Sequence, residues 1–336
     1  MPVIEVRSLS KTFRIHKKEP GFWGAVRGLF RRRYETVEAV RQVSFEIEAG
    51  EFVGFLGPNG AGKTTTLKML AGLLHPSSGS ARVLGYVPWE RPDGYRRQFA
   101  LLLGQKNQLW WDLPARETYE LNAAIYGLER RVWQRRVEEL TERLGVRDKL
   151  DVVVRELSLG ERMKLELIAV LLHQPRVLFL DEPTLGLDVV SQKSVRDFLR
   201  EYNRTAGTTI LLTSHDMADI EELCPRVIII DHGQIIFDGP LAEVIERYAD
   251  FKLLTIRCDP DAPAPDPRDL TPWGEPVEIG PAFVRLRVRR DRVIPACKAL
   301  LDRLPVRDLD IREVPIEEVI RNLFTRRVPP APAPPA

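Results

Sequence analysis

The 336-residue sequence predicts an α/β fold in which a helical subdomain interrupts a mostly parallel sheet. Three observations predict it: short apolar strands alternate with helical patterns, the first of these strands runs into a glycine-rich turn, and strand signals fade between about residues 91 and 172. The strands are predicted at Phe52 to Leu56, Val177 to Leu180, Thr208 to Thr213 and Val227 to Ile230. The turn DHG at Asp231 to Gly233 predicts a hairpin.

A second, smaller domain is predicted after residue 247, because a proline-rich stretch there separates two new strands. We expect strands at FKLLTIRC, FVRLRVRR and RDLDIREV and helices at VIPACKALLDRL and PIEEVIRNLF, a ferredoxin-like α+β plan over residues 248–326. The basic residues of FVRLRVRR are interpreted as the solvated side of a sheet, with a nucleic-acid face as the alternative. Residues 327–336, rich in proline and alanine, are expected to be disordered.

Composition excludes several classes of protein. The formal net charge of +2 is too small for a chain coated in nucleic acid, and no apolar run reaches the roughly 18 to 20 residues that cross a bilayer. Cys224, Cys258 and Cys297 lie far apart without a CxxC pair, which indicates packing thiols in a reducing compartment. Since MPVIEVRSLSKTF lacks the apolar core of a signal peptide, we expect any membrane role to come through a partner.

The turn GPNGAGKT has the pattern of a phosphate-binding loop, because glycines let successive backbone N–H groups turn toward phosphate oxygens. Lys63 is expected to reach the β- and γ-phosphates and Thr64 to ligate magnesium, while the following helix adds its N-terminal dipole. A purely structural turn, the alternative, would not need both side chains. The predicted nucleotide-binding residues are Gly57, Pro58, Asn59, Gly60, Ala61, Gly62, Lys63, Thr64 and Thr65.

The string VLFLDEP places two acids at the polar end of a buried strand. Asp181 is expected to hold the magnesium shell, and Glu182 to polarise an attacking water. A helix N-cap role for one of them is the alternative, since Pro183 and Thr184 follow directly.

A third string, LSLGERMK from Leu157, precedes VLFLDEP by the length of one short helix. It resembles the signature LSGGQ of the ABC ATPase family. The resemblance covers about residues 3–245 and implies a P-loop NTPase core, an ABC ATPase domain at 1–247, that hydrolyses ATP with Mg²⁺. It implies that Gln105 senses magnesium and the attacking water and that His215 contacts the γ-phosphate. The implied catalytic residues are Lys63, Gln105, Glu182 and His215, and the implied metal ligands are Thr64, Gln105 and Asp181.

The family also implies partners. A second ATPase subunit, identical or different, would form a head-to-tail dimer in which the loop Gly186 to Asp188 crosses the interface. Ser158, Gly160 and Glu161 would then act on the nucleotide of the other subunit. The helical subdomain near Gln105 would transmit motion to separate membrane permease subunits, so the chain is expected at the cytoplasmic face of the cell membrane.

The signature departs from the family pattern at Leu159, where a glycine is usual, and at Glu161, where a glutamine is usual. Glu161 adds negative charge near the triphosphate, and we expect Arg162 and Lys164 to offset it. Because a carboxylate cannot donate a hydrogen bond, the hypothesis is that dimer closure is weaker than with glutamine.

The family's adenine-stacking aromatic is predicted at Phe13, in LSKTF, with Tyr34 as a rival, and the alternative for either is a core aromatic. Between them lies a basic amphipathic insertion, at about residues 16–36, which is interpreted as a contact with inner-leaflet lipid or the permease. A solvated helix folded back on its own domain is the alternative. The apolar face of the insertion comprises Phe22, Trp23, Val26, Leu29 and Phe30.

The leading function is therefore a transport ATPase, similar to the branch that energises drug and polysaccharide exporters, and no nucleic-acid partner is expected. The alternative is a soluble ABC ATPase acting on ribosomes or nucleic acid. Ribosome-remodelling members resemble tandem duplications, and DNA-repair members need a long coiled coil, whereas this sequence has one phosphate loop and no sustained heptads. A catalytically dead binding module would not need Lys63, Asp181, Glu182 and His215 together.

Overall fold

The chain divides into two compact units, the first running to Gly239 and the second beginning at Pro240. This boundary lies ahead of the predicted residue 248, because the helix Leu241–Tyr248 packs against the final helix of the second unit, Ile316–Thr325. The structure is a computed structural model that describes residues 2–16, 34–104, 107–260 and 267–325.

The described strands of the first unit form two sheets, with the orders β2-β1-β4 and β5-β6-β7-β3-β8-β9. In chain order they are β1 (Ile4–His16), β2 (Tyr34–Ile47), β3 (Phe52–Leu56), β4 (Ser78–Val83), β5 (Phe99–Leu103), β6 (Val177–Asp181), β7 (Thr209–Thr213), β8 (Arg226–Asp231) and β9 (Gln234–Pro240). Strands β5, β6, β7, β3 and β8 pair in parallel, in that order. Strands β3 and β7 are buried along their whole length, which explains their continuous apolar sequences.

The smaller sheet is antiparallel, with β1 in the middle. Buried residues from β1, β2 and β4 pack with those of β3, β6 and the helix after β3 into one apolar core, which includes Ile4, Leu9, Phe45, Phe55 and Phe179. The smaller sheet is thereby fixed against the phosphate-loop strand.

Seven helices in the described part of the first unit are α1 (Lys63–Leu70), α2 (Asp93–Arg96), α3 (Ala115–Tyr126), α4 (Arg130–Leu144), α5 (Leu159–Leu171), α6 (Val189–Ala206) and α7 (Met217–Leu223). Helices α3, α4 and α5 lie in the predicted helical segment at residues 91–172 and pack on one another through α5. The segment begins later than predicted, because β5 lies inside that range and pairs with β6 in the core sheet. Five apolar residues, FALLL, do not distinguish a short buried strand from a helix by periodicity.

The hairpin predicted at Asp231 to Gly233 is confirmed. Strands β8 and β9 are neighbours in the sheet, and the turn residues His232 and Gly233 both have positive φ, as in a type I′ turn.

Between its first and last helices, the second unit has the element order β-α-β-β-α-β of a ferredoxin-like plan, so the predicted α+β class is confirmed. Its antiparallel sheet has the order β11-β12-β10-β13. The elements are α8 (Leu241–Tyr248), β10 (Phe251–Cys258), α9 (Pro267–Leu270), β11 (Glu275–Gly280), β12 (Phe283–Arg289), α10 (Val293–Arg303), β13 (Val306–Glu313) and α11 (Ile316–Thr325). Strand β11 was not predicted, since its sequence EPVEIG closes the proline-rich stretch.

Arginines of β12 alternate with its buried residues and face carboxylates. Arg285 lies 2.9 Å from Glu278, and Arg287 pairs with Glu318 of α11. The positive charge of this face is balanced within the unit, which favours the solvated-sheet interpretation over a nucleic-acid face.

The predicted insertion at residues 16–36 falls largely outside the described residues: β1 ends at His16 and β2 resumes at Tyr34. The predicted tail at 327–336 also lies outside them. None of the described helices combines the length and the apolar character needed to span a bilayer.

Candidate functional site

The phosphate loop joins β3 to α1 and is compact enough to require glycine at two positions. A Cβ atom on Gly57 would overlap the carbonyl oxygen of Ile230, and one on Gly62 would overlap that of Ala39. Gly62 also has φ of 108°, a conformation that L side chains rarely adopt. The loop is thus held between β8 and β2, with backbone close on both sides.

Lys63 begins α1, and its side chain folds back into the loop. Its ammonium donates hydrogen bonds to the carbonyl oxygens of Gly57 at 2.6 Å and Pro58 at 3.1 Å, and the residue is only 6% exposed. Burial lowers the pKa of Lys63, and the nearby carboxylates of Glu182 and Asp181 offset part of this effect. A buried cation inside a ring of backbone groups is suited to an incoming phosphate.

Asp181 ends β6 and lies beside the phosphate loop. It accepts hydrogen bonds from the Thr64 hydroxyl at 3.0 and 3.1 Å and from the Thr213 hydroxyl at 2.6 Å. Asp181 therefore does not act as a helix N-cap, the alternative raised by the sequence. Thr213 was not predicted from the sequence, although its place at the carboxyl end of a parallel strand was a usable signal.

The oxygens of Thr64 and Asp181 form a donor set that fits Mg²⁺, which prefers one or two carboxylates together with substrate phosphates. In the described part of the chain no group of three or more His, Cys, Asp or Glu side chains is placed to hold a metal. Among the described residues, Thr64 and Asp181 are thus the protein groups that fit such a cation, together with nucleotide and water.

Glu182 and His215 meet directly. His215 Nε2 lies 2.7 Å from Glu182 Oε1, so the ring N–H donates to the carboxylate. Glu182 has φ of 57°, in the left-handed region, and its backbone N–H donates to the Thr213 carbonyl at 3.0 Å. A non-glycine residue in this region carries strain of about 1 to 3 kcal/mol, which the surrounding contacts must offset.

Gln105 lies outside the described residues. The preceding Gly104 is described, and its N–H donates to the carbonyl oxygen of Asp181 at 2.8 Å. The chain therefore passes directly beside the two acids immediately before Gln105.

Phe13 lies on β1 opposite Val37 of β2. Val37 is two residues from Ala39, whose carbonyl oxygen borders Gly62, whereas Tyr34 pairs with His16 at the far end of the same hairpin. The amino group of Lys11 lies 5.3 Å from the Phe13 ring centroid. Of the two candidate aromatics, Phe13 is thus closer along the strand to the phosphate loop.

Ser158 caps α5, the signature helix, through a capping box with Glu161. Glu161 Oε2 accepts from the Ser158 N–H at 2.9 Å and from its hydroxyl at 2.8 Å, and Oε1 lies 3.1 Å from Lys149 Nζ. The hydrogen bonds from Ser158 and the Lys149 ammonium lower the pKa of Glu161. The expectation that Arg162 and Lys164 offset this charge was wrong, because Lys149, from a preceding turn, is the described ion-pair partner and Arg162 faces Glu166.

The start of the signature helix also contacts the loop Gly186 to Asp188. A Cβ atom on Gly160 would overlap the hydroxyl of Ser191, and one on Gly186 would lie 3.1 Å from the Leu159 side chain. Asp188 caps the N-terminus of α6. Leu159 in place of the usual glycine therefore packs over Gly186.

Sequence profiles match both parts of the chain. The profile described as "ABC transporter" matches residues 40–185, and "EvrA-like ABC transporter, C-terminal domain" matches residues 250–312.

Individual proteins resemble the chain over most of their length. "ABC transporter ATP-binding protein NatA" of Bacillus subtilis (strain 168) is 39% identical over 65% of this chain and 88% of that protein. "Nod factor export ATP-binding protein I" of Burkholderia pseudomallei (strain 1710b) is 38% identical over 74% of this chain and 80% of that protein. A solved structure titled "Structure of ATP binding subunit of ABC transporter" has a TM-score of 0.61 at 28% identity, covering 73% of this chain and 93% of that one.

This chain matches these two relatives over 80% or more of their length. The predicted fold class, ATP binding and ATPase activity are thereby confirmed. The chain belongs to the ABC transporter family and is one of its ATP-binding subunits.

Proposed function

We propose that this subunit hydrolyses ATP with Mg²⁺ in a head-to-tail dimer and so drives export through separate membrane permease subunits. The 2.7 Å contact between His215 and Glu182, beside Lys63 and Asp181, is the observation that carries the hydrolytic part of this proposal. The export direction is supported by the name of the Burkholderia relative, which is called an export protein.

The phosphate loop binds the triphosphate through its backbone N–H groups and the ammonium of Lys63. Thr64 and Asp181, with Gln105 as the sequence predicts, would hold Mg²⁺, which when bound would neutralise charge on the phosphates. Lys63 donates to loop carbonyls, and phosphate oxygens that replace these acceptors would pair their negative charge with a cation that is already buried.

Glu182 accepts a proton from the attacking water, whose oxygen forms a bond to the terminal phosphorus as the bond to the bridging oxygen breaks. His215 holds the Glu182 carboxylate through its Nε2–H, which fixes the orientation of the base. The strained backbone of Glu182 turns its side chain toward the end of β7, where His215 follows.

Dimerisation is supported by the signature region. The described hydrogen bonds of the Ser158 side chain are all to Glu161, one turn along its own helix, rather than to the phosphate loop. Apolar side chains flank the adjacent loop at Leu185, Val189 and Val190, the last two being more than three-quarters exposed. We propose that a second copy covers these apolar side chains and that Ser158 then faces the nucleotide bound to that second copy.

The permease is proposed to dock on the surface formed by Trp110, Trp111 and Leu113. Trp110 is 56% exposed and Trp111 is 46% exposed, and both lie in the loop that leads from β5 to α3. Large exposed aromatic side chains are typical of protein interfaces. Contact there would bring the chain to the cytoplasmic face of the membrane, with residues 16–36 available for lipid.

Glu182→Gln tests the proposal. We expect ATP hydrolysis to fall at least about 100-fold, as for loss of a general base, while ATP binding persists and an ATP-dependent dimer accumulates. Phosphate release and size-exclusion chromatography measure the two effects, with Glu221→Gln, an exposed acid on α7, as the matched control. Hydrolysis within a few-fold of wild type would exclude Glu182 as the base.

A further inference from the structure

Asp219 lies on α7 and has no role in the site described so far. Its side chain is wholly buried, with 0% exposure, and it pairs with Arg196. Three donors surround it: the hydroxyl of Thr184, the hydroxyl of Ser214 at 2.6 Å and the guanidinium of Arg196 at 3.1 Å. A buried carboxylate is costly unless it is paired, and here each of its oxygens has a partner.

One oxygen joins two chain segments. Asp219 Oδ2 accepts both hydroxyls, that of Thr184, which is two residues after Glu182, and that of Ser214, which directly precedes His215. The segments that carry the two members of the Glu182 and His215 pair are therefore tied to a single atom.

The side chains at the end of β7 and just after it alternate between two sides of the chain. The Thr213 hydroxyl donates to Asp181, the Ser214 hydroxyl donates to Asp219, and His215 donates to Glu182. Two residues of this segment thus face the nucleotide side, while the residue between them is anchored in the interior. Displacement of Ser214 would move Thr213 and His215 with it.

The carboxylate of Asp219 is paired with a guanidinium from helix α6. Arg196 of α6 is also buried, and besides Asp219 it lies 3.2 Å from Glu222 and 3.8 Å from Asp216. Arg196 retains these two acids if the charge of Asp219 is removed. The fold therefore tolerates neutralisation of Asp219 better than loss of Arg196.

We propose that Asp219 is a positioning residue for ATP hydrolysis, which holds the Glu182 and His215 segments in reacting geometry through the Thr184 and Ser214 hydroxyls. This inference rests on the catalytic roles proposed for Glu182 and His215. Asparagine cannot replace the carboxylate, because an amide oriented to accept both hydroxyls presents its NH₂ group to the Arg196 guanidinium.

The first experiment compares Asp219→Asn with Glu221→Gln, which removes the same charge from an exposed position of the same helix. For Asp219→Asn we expect kcat for ATP to fall about 10- to 100-fold, as for a small misplacement of reacting groups, with KM within about twofold. Thermal unfolding and nucleotide binding check that the variant is folded. An unchanged kcat, or an equal loss in Glu221→Gln, would overturn the proposal.

Thr184 supplies a test that leaves the charges intact. Thr184→Val removes the hydroxyl at nearly constant volume, and Thr184→Ser keeps it. We expect the valine variant to lose kcat in the way Asp219→Asn does and the serine variant to recover most of it. Equal activity of both variants would contradict a role for this hydrogen bond.

The Glu182→Gln variant separates this inference from the function on which it depends. If Glu182→Gln abolishes hydrolysis while Asp219→Asn and Thr184→Val retain wild-type kcat, the positioning role fails and the ATPase proposal stands. If Glu182→Gln hydrolyses ATP normally, the catalytic role of Glu182 on which this inference rests fails, whereas wild-type protein that hydrolyses no ATP would overturn the proposed function itself.

Discussion

Glu166 should make the subunit less stable as the pH rises, and Glu166→Gln should remove this dependence. Glu166 lies on the signature helix α5 and is only 2% exposed. Among the described residues its Oε1 has no hydrogen-bond partner, and its neighbouring charge is Arg162, at 3.7 Å. Burial raises the pKa of Glu166 to about 7, although Arg162 and the backbone N–H of Gln108 act in the opposite direction.

The direction of this pH dependence follows from how many protons Glu166 binds in the folded and in the unfolded chain. Below pH 4.5 the carboxyl is neutral whether the chain is folded or unfolded, so burial has no electrostatic cost. Between pH 4.5 and about 7 the unfolded chain releases this proton and the folded chain keeps it, so the free energy of unfolding falls with rising pH. Above pH 7 the full cost, about 3 kcal/mol, is present, since each pH unit corresponds to about 1.4 kcal/mol.

Urea unfolding at pH 5 and pH 8.5 measures the effect. Relative to wild type, Glu166→Gln should gain up to about 3 kcal/mol at pH 8.5 and much less at pH 5, because glutamine cannot ionise. Glu120→Gln, an exposed acid on α3, is the control and should show no comparable gain at either pH. A loss at pH 8.5 would show that Glu166 is stabilised as an ion by Arg162, and a gain that is equal at both pH values would show that ionisation of Glu166 does not affect stability.

Three further outcomes are expected. Phe13→Ala should raise the KM for ATP about tenfold with a smaller effect on kcat, and Tyr34→Ala should leave KM unchanged, because loss of one stacked base costs about 1 to 3 kcal/mol; steady-state hydrolysis checks both. Trp111→Ala should reduce co-purification of the permease from membranes without lowering ATPase activity of the purified subunit, although its ring contacts Arg162 of the signature helix; lower ATPase activity would contradict this. Glu161→Gln should keep the capping box and release the pairing charge of Lys149, so ATP-dependent dimerisation should tighten, as measured by light scattering.

The capping box between Ser158 and Glu161 adds a second reason to expect weak dimer closure. Before a Ser158 hydroxyl can donate to a nucleotide of the partner subunit, it must leave Glu161 Oε2, to which it donates at 2.8 Å. Glutamine at this position accepts the same bonds more weakly, because hydrogen bonds to an ionised acceptor are about twice as strong. The weaker dimer closure expected for Glu161 therefore has a second cause besides charge repulsion.

Much of the nucleotide site was predictable because its functional residues lie in short sequence motifs. The loop at Gly57 to Thr64 combines a buried strand, glycines and a helix start, and these depend on neighbours in sequence. The acids Asp181 and Glu182 were located in the same way, from the apolar strand ahead of them. The same reasoning missed β5, since a five-residue apolar run becomes a strand only when β6 lies beside it.

Contacts between distant segments were decided by the tertiary structure alone. Parallel pairing of β6 with β7 brings Thr213 to Asp181 and His215 to Glu182, and neither pair is adjacent in sequence. The ion-pair partner of Glu161 is likewise Lys149 and not its sequence neighbours Arg162 and Lys164, because residues at successive positions of a helix point in different directions. The sequence by itself determined which chemical groups handle phosphate and metal, since local backbone geometry suffices for that. The contacts that hold these groups in place depend on strand pairing and burial, and a local sequence pattern does not encode either of them.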